Sequence, residues 1–384
     1  MTHVTGPWLT NSATQAVCRA ISAGGAQALF VGGCVRNALL GTETSDIDIA
    51  TDATPQEVVR LAKAAGIKAV PTGIDHGTVT LIKGGIPHEV TTFRRDVETD
   101  GRRAVVAFST RVEEDAARRD FTMNALYARA DGTVIDPLNG LPDLRARRVR
   151  FIGDAEARIR EDYLRSLRYF RFHAWYGDQA QGMDPDALAA IAANLDGLDR
   201  VSRERIGGEF LKLLAAPDPA PSVAGMRSAG VLSHVLPGAD DRGLAPLVHL
   251  EQQNGMRPDA PRRLAALGGD EAIANLRLSK AVAGRVAILR EGIGSGVSGS
   301  ELGYRLGVDS ARDILLLRAA IFEQPLDLAA WEGAAAGAGA EFPLKAADLM
   351  PAYSGKALGA KLSELETKWI ASGFSLSRDD LLSS

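Results

Sequence analysis

The sequence predicts an α+β protein in which a small mixed-sheet head precedes an all-α neck, body and tail. Residues 45–50 alternate polar and apolar side chains with period two, as a strand does, and the runs at 28–31, 78–83 and 88–93 also have the pattern of strands. Beyond about residue 140, strand signals nearly vanish and apolar residues recur with helical spacing, separated by Pro and Gly. A chain of 384 residues with 46% hydrophobic and 24% charged residues is ordinary for a globular protein of two or more domains.

The head begins with a helix, a strand and a glycine turn. Residues 12–25 have helical spacing and end in paired glycines, and residues 28–31 form the apolar strand that follows. Gly32 and Gly33 lack a Cβ, so the backbone can turn sharply there and bring its N–H groups close to an anion. Arg36, one turn into the next helix, could add a full positive charge. A pair of glycines is, however, most often only a turn.

Asp46 and Asp48 follow as a possible metal site. They alternate with isoleucine, so both should point to one face of a strand. Their mutual repulsion favours a divalent cation, and hard oxygen ligands of this kind suit Mg²⁺ shared with substrate phosphates. The ordinary alternative is a solvated strand edge.

A capped helix and a β-hairpin complete the predicted sheet. Thr54 is placed as an N-cap with Pro55 at the first helical position, so we expect a helix to about residue 66. Runs at 78–83 and 88–93 predict a hairpin whose four-residue connection matches no turn type that we can assign. Glu89, on the second strand, either presents a third carboxylate to the aspartate pair or is an ordinary edge-strand charge.

Residues 94–119 are densely charged with both signs, which predicts a mobile, solvated loop. The simplest reading is a surface loop and nothing more. Residues 118–126 then interleave polar groups with core-forming residues, and residues 134–140 have the pattern of a strand and a turn. We place the end of the head there, at residues 1–140.

The rest of the chain is predicted to be helical. Residues 333–339, Gly-Ala-Ala-Ala-Gly-Ala-Gly, predict a linker before the final segment. The neck, body and tail are placed at residues 141–215, 216–332 and 340–384. In a helix predicted over residues 158–172, the spacing puts three polar residues on one face, although an ordinary salt-bridged helix exterior explains the same pattern. These residues are Asp162, Arg165 and Arg168.

Composition limits the class of protein and its surroundings. The formal net charge is −4, so any basic surface for a nucleic acid must be local. Cys18 and Cys34 lack metal-ligand spacing and cannot form a disulfide framework, which indicates a reducing compartment. No apolar run reaches the ~18 residues of a membrane span, and the first residues lack a signal-peptide pattern. We therefore expect a cytoplasmic protein without a membrane partner.

Five motifs occur in one order along the chain. They are Gly-Gly-Cys-Val-Arg with Asp-Ile-Asp, Arg-Arg-Asp-Phe-Thr-Met-Asn-Ala-Leu, Asp136-Pro137 with Gly140, Glu-Asp-Tyr-Leu-Arg-Ser-Leu-Arg-Tyr-Phe-Arg-Phe, and Arg-Glu-Arg-Ile-Gly-Gly-Glu at 203–209. Together they resemble the tRNA nucleotidyltransferase and poly(A) polymerase family, the bacterial class II branch of the DNA polymerase β-like superfamily. The likeness is strong over about residues 28–215. One departure is Asn37, where the family usually has Asp.

The resemblance implies a role for each candidate site residue. Asp46 and Asp48 would hold two Mg²⁺ ions for in-line attack of a tRNA 3′-hydroxyl on the α-phosphate of a nucleotide, with Glu89 as a third catalytic carboxylate. Pyrophosphate would leave. The glycine turn and Arg36 would bind the triphosphate, and three residues of the second motif would read the ribose 2′-hydroxyl. The implied nucleotide-binding residues are Gly32, Gly33, Arg36, Arg119, Asp120, Asn124, Asp162, Arg165 and Arg168.

The motif match also implies that Asp162 and Arg165 read the base. Cytosine and adenine both present an exocyclic amine beside an unprotonated ring nitrogen, so a carboxylate acceptor next to a guanidinium donor fits both. Guanine and uracil present the reverse order. The implied substrates are therefore CTP and ATP, added to tRNA, and no protein partner is implied.

Within the family, the resemblance favours addition of C, C and A to the tRNA 3′ end. Residues 70–78 resemble the corresponding stretch of CCA-adding enzymes rather than the basic stretch of poly(A) polymerases. Residues 100–103, Asp-Gly-Arg-Arg, match the charged loop that enzymes adding only CC tend to lack. Three alternatives stay open: an enzyme that adds only A, a poly(A) polymerase, and a non-catalytic RNA-binding relative.

Overall fold

The computed structural model describes residues 2–44, 46–99 and 104–383. Contacts between its residues divide the chain into two compact units, one up to Pro237 and the other from Gly238 onward. Every strand of the described residues lies before Asp136, and the remainder is helical, which confirms the α+β prediction. The finer division into head, neck, body and tail stays a prediction.

The first unit contains a mixed sheet and a separate two-stranded ribbon. In the sheet the strand order is β3-β4-β5-β2-β1-β8-β9, where β2 and β5 are parallel and the other neighbours antiparallel. The ribbon is β6-β7. The strands are β1 Leu29–Val31, β2 Asp48–Thr51, β3 Lys68–Gly73, β4 Thr78–Lys83, β5 Ile86–Thr92, β6 Arg94–Thr99, β7 Ala104–Phe108, β8 Tyr127–Ala128 and β9 Val134–Ile135.

Helices surround the sheet in the first unit and make up the second. In the first unit they are α1 Pro7–Thr10, α2 Ser12–Ser22, α3 Gly33–Leu40, α4 Pro55–Ala64, α5 Val112–Ala117, α6 Leu141–Arg145, α7 Ala155–Glu161, α8 Leu164–Tyr176, α9 Pro185–Ala192, α10 Arg203–Leu214, α11 Ala220–Ser228 and α12 Val231–Val235. In the second they are α13 Leu244–Gln253, α14 Ala260–Leu267, α15 Asp270–Asn275, α16 Lys280–Gly294, α17 Gly299–Leu306, α18 Val308–Ile321, α19 Leu328–Ala338, α20 Gly355–Ala371 and α21 Arg378–Leu382. Within the described part of the chain, none of these helices has both the length and the apolar character that crossing a membrane requires.

Local sequence signals placed several elements correctly. The Thr54 hydroxyl accepts a hydrogen bond from the Glu57 N–H at 3.3 Å, which confirms the predicted cap of α4. The predicted hairpin is also confirmed, but its connection has two residues rather than four. Gly84 and Gly85 have φ of 58° and 79°, the positive values that a type I′ turn requires at both positions. Their positive φ lets β5 begin at Ile86.

Within residues 94–99 and 104–119, the described part of the charged stretch, the prediction of a mobile loop is wrong. Strands β6 and β7 pair as an antiparallel ribbon, and α5 follows it. The base of the ribbon is closed where the Ser109 N–H donates to the Phe93 carbonyl at 2.8 Å, next to the buried Phe93 side chain. Backbone pairing therefore orders a segment whose charge pattern alone indicated a loop. Residues 100–103, the charged loop assigned to A addition, lie outside the described residues.

The predicted linker at 333–339 is also wrong, because these residues lie largely within α19. Helix α19 packs against α17 through small residues on both helices. A Cβ on Gly337 would lie 1.9 Å from the Ser300 carbonyl oxygen, and one on Gly303 would lie 2.0 Å from the Ala334 carbonyl oxygen. Glycine is thus required for two helix backbones to approach each other, and here it is not a sign of a flexible chain.

A core of buried side chains holds the sheet against the segments that carry the candidate site. Leu29 and Val31 of β1 cluster with Phe93 and Tyr127. Beside them lies a group of aromatic rings. The ring of Phe121 is 5.0 Å from that of Phe151 and 4.7 Å from that of Phe172 on α8. These contacts fix α8 against residues 118–126, so the motifs on both segments lie together.

Candidate active site

The glycine pair forms the turn between β1 and α3. Gly32 has φ of 70° and ψ of −118°, a backbone conformation that L side chains rarely adopt. Its N–H donates to the Leu126 carbonyl at 3.2 Å. A Cβ built on Gly32 would lie 3.6 Å from both Arg119 Nη1 and Asn124 Oδ1. The bare backbone of the turn therefore faces two polar side chains of the 118–126 motif.

Asp48 begins β2, the strand that pairs with both β1 and β5, and Asp46 lies two residues before it. Ile47 and Ile49 are buried, whereas Asp46 is exposed and Asp48 is half-buried, so the predicted alternation is confirmed. Parallel pairing sets Asp48 opposite Glu89 of β5. Burial, followed by the charge of Glu89 and opposed by that of Arg119, raises the pKa of Asp48 to about 6.

This carboxylate group fits a cation that is shared with a substrate. Among the described residues, no cluster of three or more His, Cys, Asp or Glu side chains could hold a metal ion by itself. Asp46 and Asp48 supply hard oxygen donors. Burial, with the charges of Glu89 and Asp46, raises the pKa of Asp48, and a bound cation would stabilise its ionised form. Mg²⁺ is typically held by one or two carboxylates, with water and substrate phosphates completing its shell. Glu89, which is exposed, contributes charge beside this pair.

Arg119 is held in position by two residues to which the sequence analysis gave no role. Its Nη2 donates to Asp115 Oδ2 at 2.9 Å, and its Nε donates to the Tyr127 hydroxyl oxygen at 3.1 Å. Burial alone would raise the pKa of the Asp115 carboxyl. The charges of Arg119 and Arg118 outweigh burial and hold that pKa below its usual value. The guanidinium is therefore anchored on one side and presents Nη1 to the glycine turn.

Asp120 and Asn124 form a fixed pair beneath the turn. The Asn124 side-chain N–H donates to Asp120 Oδ1 at 3.1 Å, and the Phe121 N–H donates to the same oxygen at 3.0 Å. Arg168 of α8 donates two hydrogen bonds to Asp120 Oδ2. Burial alone would raise the pKa of the Asp120 carboxyl. Arg168 outweighs burial and keeps that pKa below its usual value. Arg168 is thus hydrogen-bonded to the 118–126 motif, and the charge of Asp162 also acts on it.

Arg36 is buried and bound within the protein. It donates to Asn124 Oδ1 at 2.7 Å, to the Tyr176 hydroxyl at 2.8 Å and, through Nε and Nη2, to Asn37 Oδ1. Its guanidinium carbon lies 4.0 Å from the centre of the Tyr176 ring. Four of its five N–H groups are therefore used inside the protein. Arg36 therefore supports Asn124 and α8, and its part in binding a triphosphate stays a prediction.

Glu209 joins the same charged network from α10. Arg171 Nε donates to Glu209 Oε2 at 2.6 Å, and Arg168 Nη1 lies 4.0 Å from Glu209 Oε1. Glu209 is buried, so its carboxylate compensates two arginines on α8. The residue belongs to the 203–209 motif, which was the signal in the sequence, but no role followed from its position there.

The prediction of one helix through Asp162 is wrong, because the chain breaks between α7 and α8. Asp162 has φ of −152° and ψ of 103°, an extended conformation. Its carboxylate oxygen Oδ1 accepts from the Leu164 N–H at 3.2 Å, and such local bonds compete with helical ones. Asp162, Arg165 and Arg168 therefore do not share one helix face.

Asp162 and Arg165 each have a separate protein partner. Arg205 of α10 donates to Asp162 Oδ2 at 2.7 Å. Arg165 donates to Glu161, to the Arg158 carbonyl at 2.9 Å and to the Arg118 carbonyl at 3.0 Å. The two predicted base-reading side chains are near neighbours in the chain, but each of these hydrogen bonds joins one of them to a different partner.

Family models match two parts of the chain. Residues 28–150 match the model described as the poly(A) polymerase head domain. Residues 182–242 match the model described as a probable RNA and SrmB-binding site of polymerase A. Both segments lie largely or wholly within the first unit.

Curated and solved proteins are similar over a greater length. The mitochondrial CCA tRNA nucleotidyltransferase 1 of Mus musculus is 33% identical over 382 residues, covering 92% of this chain and 85% of that protein. The CCA-adding enzyme of Levilactobacillus brevis is 40% identical over 228 residues, and the chain spans about half the length of that relative, 56%. The crystal structure of the Bacillus stearothermophilus CCA-adding enzyme in complex with CTP has a TM-score of 0.74 at 26% identity, covering 96% of this chain and 94% of that one.

Proposed function

Because this chain belongs to the family of CCA tRNA nucleotidyltransferases, we propose that it adds C, C and A to the 3′ end of tRNA. It is a nucleotidyltransferase, and the proposed substrates are CTP, ATP and a tRNA that lacks its 3′ end. The observation that carries the proposal is the juxtaposition of Asp48 and Glu89 on β2 and β5, with the glycine turn following β1. Carboxylates that can hold a metal ion, and a glycine turn whose backbone can approach a phosphate, are parts that in-line nucleotidyl transfer needs.

In this proposal, Asp46 and Asp48 hold Mg²⁺ together with the triphosphate. The bound metal would lower the pKa of the tRNA 3′-hydroxyl and neutralise charge on the α-phosphate and on the leaving pyrophosphate. Arg119 Nη1, which lies beside Gly32, and the backbone of Gly32 and Gly33 then contact the phosphates. Arg36 acts by keeping Asn124 in place.

The sugar and the base are read by groups that the protein holds rigidly. Asp120 and Asn124 read the ribose 2′-hydroxyl as one fixed pair, with Arg168 orienting the carboxylate. Asp162 accepts from the exocyclic amine of cytosine or adenine. Three of the five N–H groups of Arg165 donate within the protein, so the remaining ones are the donors proposed for the ring nitrogen.

The deciding experiment supplies nucleotides singly and in pairs to a tRNA transcript that lacks CCA. With Mg²⁺, CTP alone should extend it by two residues, and CTP with ATP by three. Extension only by ATP, and only on a tRNA ending in CC, would instead identify an A-adding enzyme. Long A tails would indicate a poly(A) polymerase, and tRNA binding without extension would indicate a non-catalytic relative. A cytoplasmic location stays a prediction.

A further inference from the structure

The break between α7 and α8 is supported from outside by the segment 195–205. Asp162 and Tyr163 form the two-residue break, and neither continues a helix. A Cβ on Gly197 would lie 1.9 Å from the Tyr163 ring, so only glycine allows this segment to pack there. Arg200 places its guanidinium carbon 5.8 Å from the centre of the same ring. Arg205, at the end of the segment, reaches Asp162.

Arg205 fixes one of the two carboxylate oxygens of Asp162. Oδ1 accepts from the Leu164 N–H at 3.2 Å, and Oδ2 accepts from Arg205 Nη2 at 2.7 Å. A carboxylate bound through both oxygens, one to its own backbone and one to a distant helix, cannot rotate freely. Each oxygen retains a second acceptor site for a further hydrogen bond.

Arg165 cannot substitute for Arg205 in this role. Its guanidinium is held by the Glu161 carboxylate and by the carbonyls of Arg158 and Arg118. Arg205 therefore supplies the positive charge that compensates Asp162 and leaves Arg165 unpaired with it. The side chains of Asp162 and Arg205 are 30% and 44% exposed, so their open side faces solvent or a ligand.

We propose that Arg205 is a positioning residue for nucleotide selection, which sets the orientation of the Asp162 carboxylate so that an exocyclic carbonyl is rejected. The inference rests on the proposed base-reading role of Asp162. A carboxylate oxygen and the exocyclic carbonyl oxygen of uracil or guanine are both acceptors, so they repel each other. Because Arg205 prevents the carboxylate from rotating, the repulsion persists and produces specificity. A carboxylate that can rotate loses the repulsion and part of the bond to the correct amine.

The test compares Arg205→Gln with Asp162→Asn and with the double variant in the full-length protein. For each we would measure kcat and KM for CTP and for UTP on a tRNA transcript lacking CCA. In Arg205→Gln, the preference for CTP over UTP should fall about tenfold, through a higher KM for CTP and a lower KM for UTP with little change in kcat. The double variant should show no further loss beyond Asp162→Asn, because Arg205 acts through that carboxylate.

Arg160→Gln is the matched control. Arg160 lies on α7 close to the break and pairs with the exposed Glu156, but it has no contact with Asp162 among its hydrogen bonds. Its substitution should leave the preference unchanged. Arg205→Lys, which keeps the charge but loses the planar donor pair, should fall between wild type and Arg205→Gln. It also serves as the second variant if Arg205→Gln melts at a lower temperature.

Each outcome separates the inference from the proposed function. If Asp162→Asn lowers the preference and Arg205→Gln does not, the positioning role is wrong while base reading by Asp162 holds. If Asp162→Asn leaves the preference unchanged, base reading itself fails and the inference fails with it. Additive losses in the double variant, or weaker tRNA binding with unchanged preference, would make Arg205 an independent contact, such as a phosphate ligand.

Discussion

The Asp48 carboxylate lies in a position that lowers the stability of the fold. It is half-buried opposite Glu89, and burial with the neighbouring charges raises its pKa to about 6. A group whose folded-state pKa lies above its unfolded value destabilises the fold when it is ionised at neutral pH. Such a cost is typical of functional sites, where activity rather than stability selects the residue.

Asp48→Asn should therefore abolish nucleotidyl transfer without unfolding the protein. We expect the rate of CTP incorporation to fall at least about a thousandfold, since charge stabilisation by a metal contributes several kcal/mol. The melting temperature should stay the same or rise, because the variant loses a repelled charge.

Single-turnover incorporation, tRNA binding and thermal unfolding of Asp48→Asn would be measured side by side. Glu57→Gln, an exposed carboxylate change on α4, is the control and should retain transfer. Substantial transfer by Asp48→Asn would refute the metal-ligand role. Loss of folding would make Asp48 a structural residue.

At the scale of elements, small residues decide how α17 and α19 pack. Gly299 and Gly303 on α17 face the carbonyls of Ala330 and Ala334, and Gly337 on α19 faces that of Ser300. Added Cβ atoms would lie within 2.1 Å of these carbonyl oxygens. Since these neighbouring atoms belong to the backbone, a side chain could be accommodated only by moving a helix.

Gly337→Ala should destabilise the second unit by roughly 1–3 kcal/mol, the usual cost of overpacking. The same substitution at Gly284 is the matched control, because Gly284 lies inside α16 with open space around it. Gly284→Ala should stabilise by up to about 1 kcal/mol through helix propensity alone. Urea unfolding of both variants measures the change in the free energy of unfolding, which should be negative for Gly337→Ala and positive for Gly284→Ala. Stabilisation by Gly337→Ala would contradict the packing argument.

At the scale of the whole molecule, buried ion pairs occur in both units. In the second unit Arg262 and Arg263 are almost completely buried. Both donate to Glu251, and Arg262 also donates to Asp313 at 2.6 Å. In the first unit Asp143 is buried and accepts from Thr122, Arg148 and Arg150. Such pairs specify which helices and loops meet, and each becomes costly when one partner is lost.

Acid should destabilise the first unit through its paired carboxylates. Burial acts to raise the pKa of each of these carboxyls. Hydrogen bonds and neighbouring arginines outweigh burial and hold the pKa values below the usual value in Asp115, Asp120 and Asp143. A depressed folded-state pKa gives stability that is fully present above the unfolded pKa of about 4 and is lost as the pH falls through the folded value. The stability that these three carboxylates contribute should thus be lost below about pH 4.

Urea unfolding between pH 7 and pH 2.5, followed by a probe in the first unit, measures this decline. Asp143→Asn should lower stability at pH 7 and reduce its dependence on acid pH, because one of the titrating groups is gone. Glu113→Gln, a change at an exposed residue, is the control and should leave the slope unchanged. An unaltered slope in Asp143→Asn would contradict the assignment.

The sequence by itself determined the fold class, the capped helix α4, the hairpin strands and the motifs that led to the family. These features depend on short-range patterns: side-chain periodicity, a cap three residues from its partner, and residues adjacent in a motif.

Only the tertiary structure decided which groups support the proposed site residues. Asp162 meets Arg205 at a separation of 43 residues, and Asp120 meets Arg168 at 48. The helix break at Asp162, the ordered ribbon in the charged stretch and the glycine contacts of α19 likewise depend on partners from elsewhere in the chain. Local sequence cannot encode these features, because the same charge pattern suits a loop or a helix exterior, and the same glycine pattern suits a linker or a close helix contact. Residues that are distant in the chain decide between these structures.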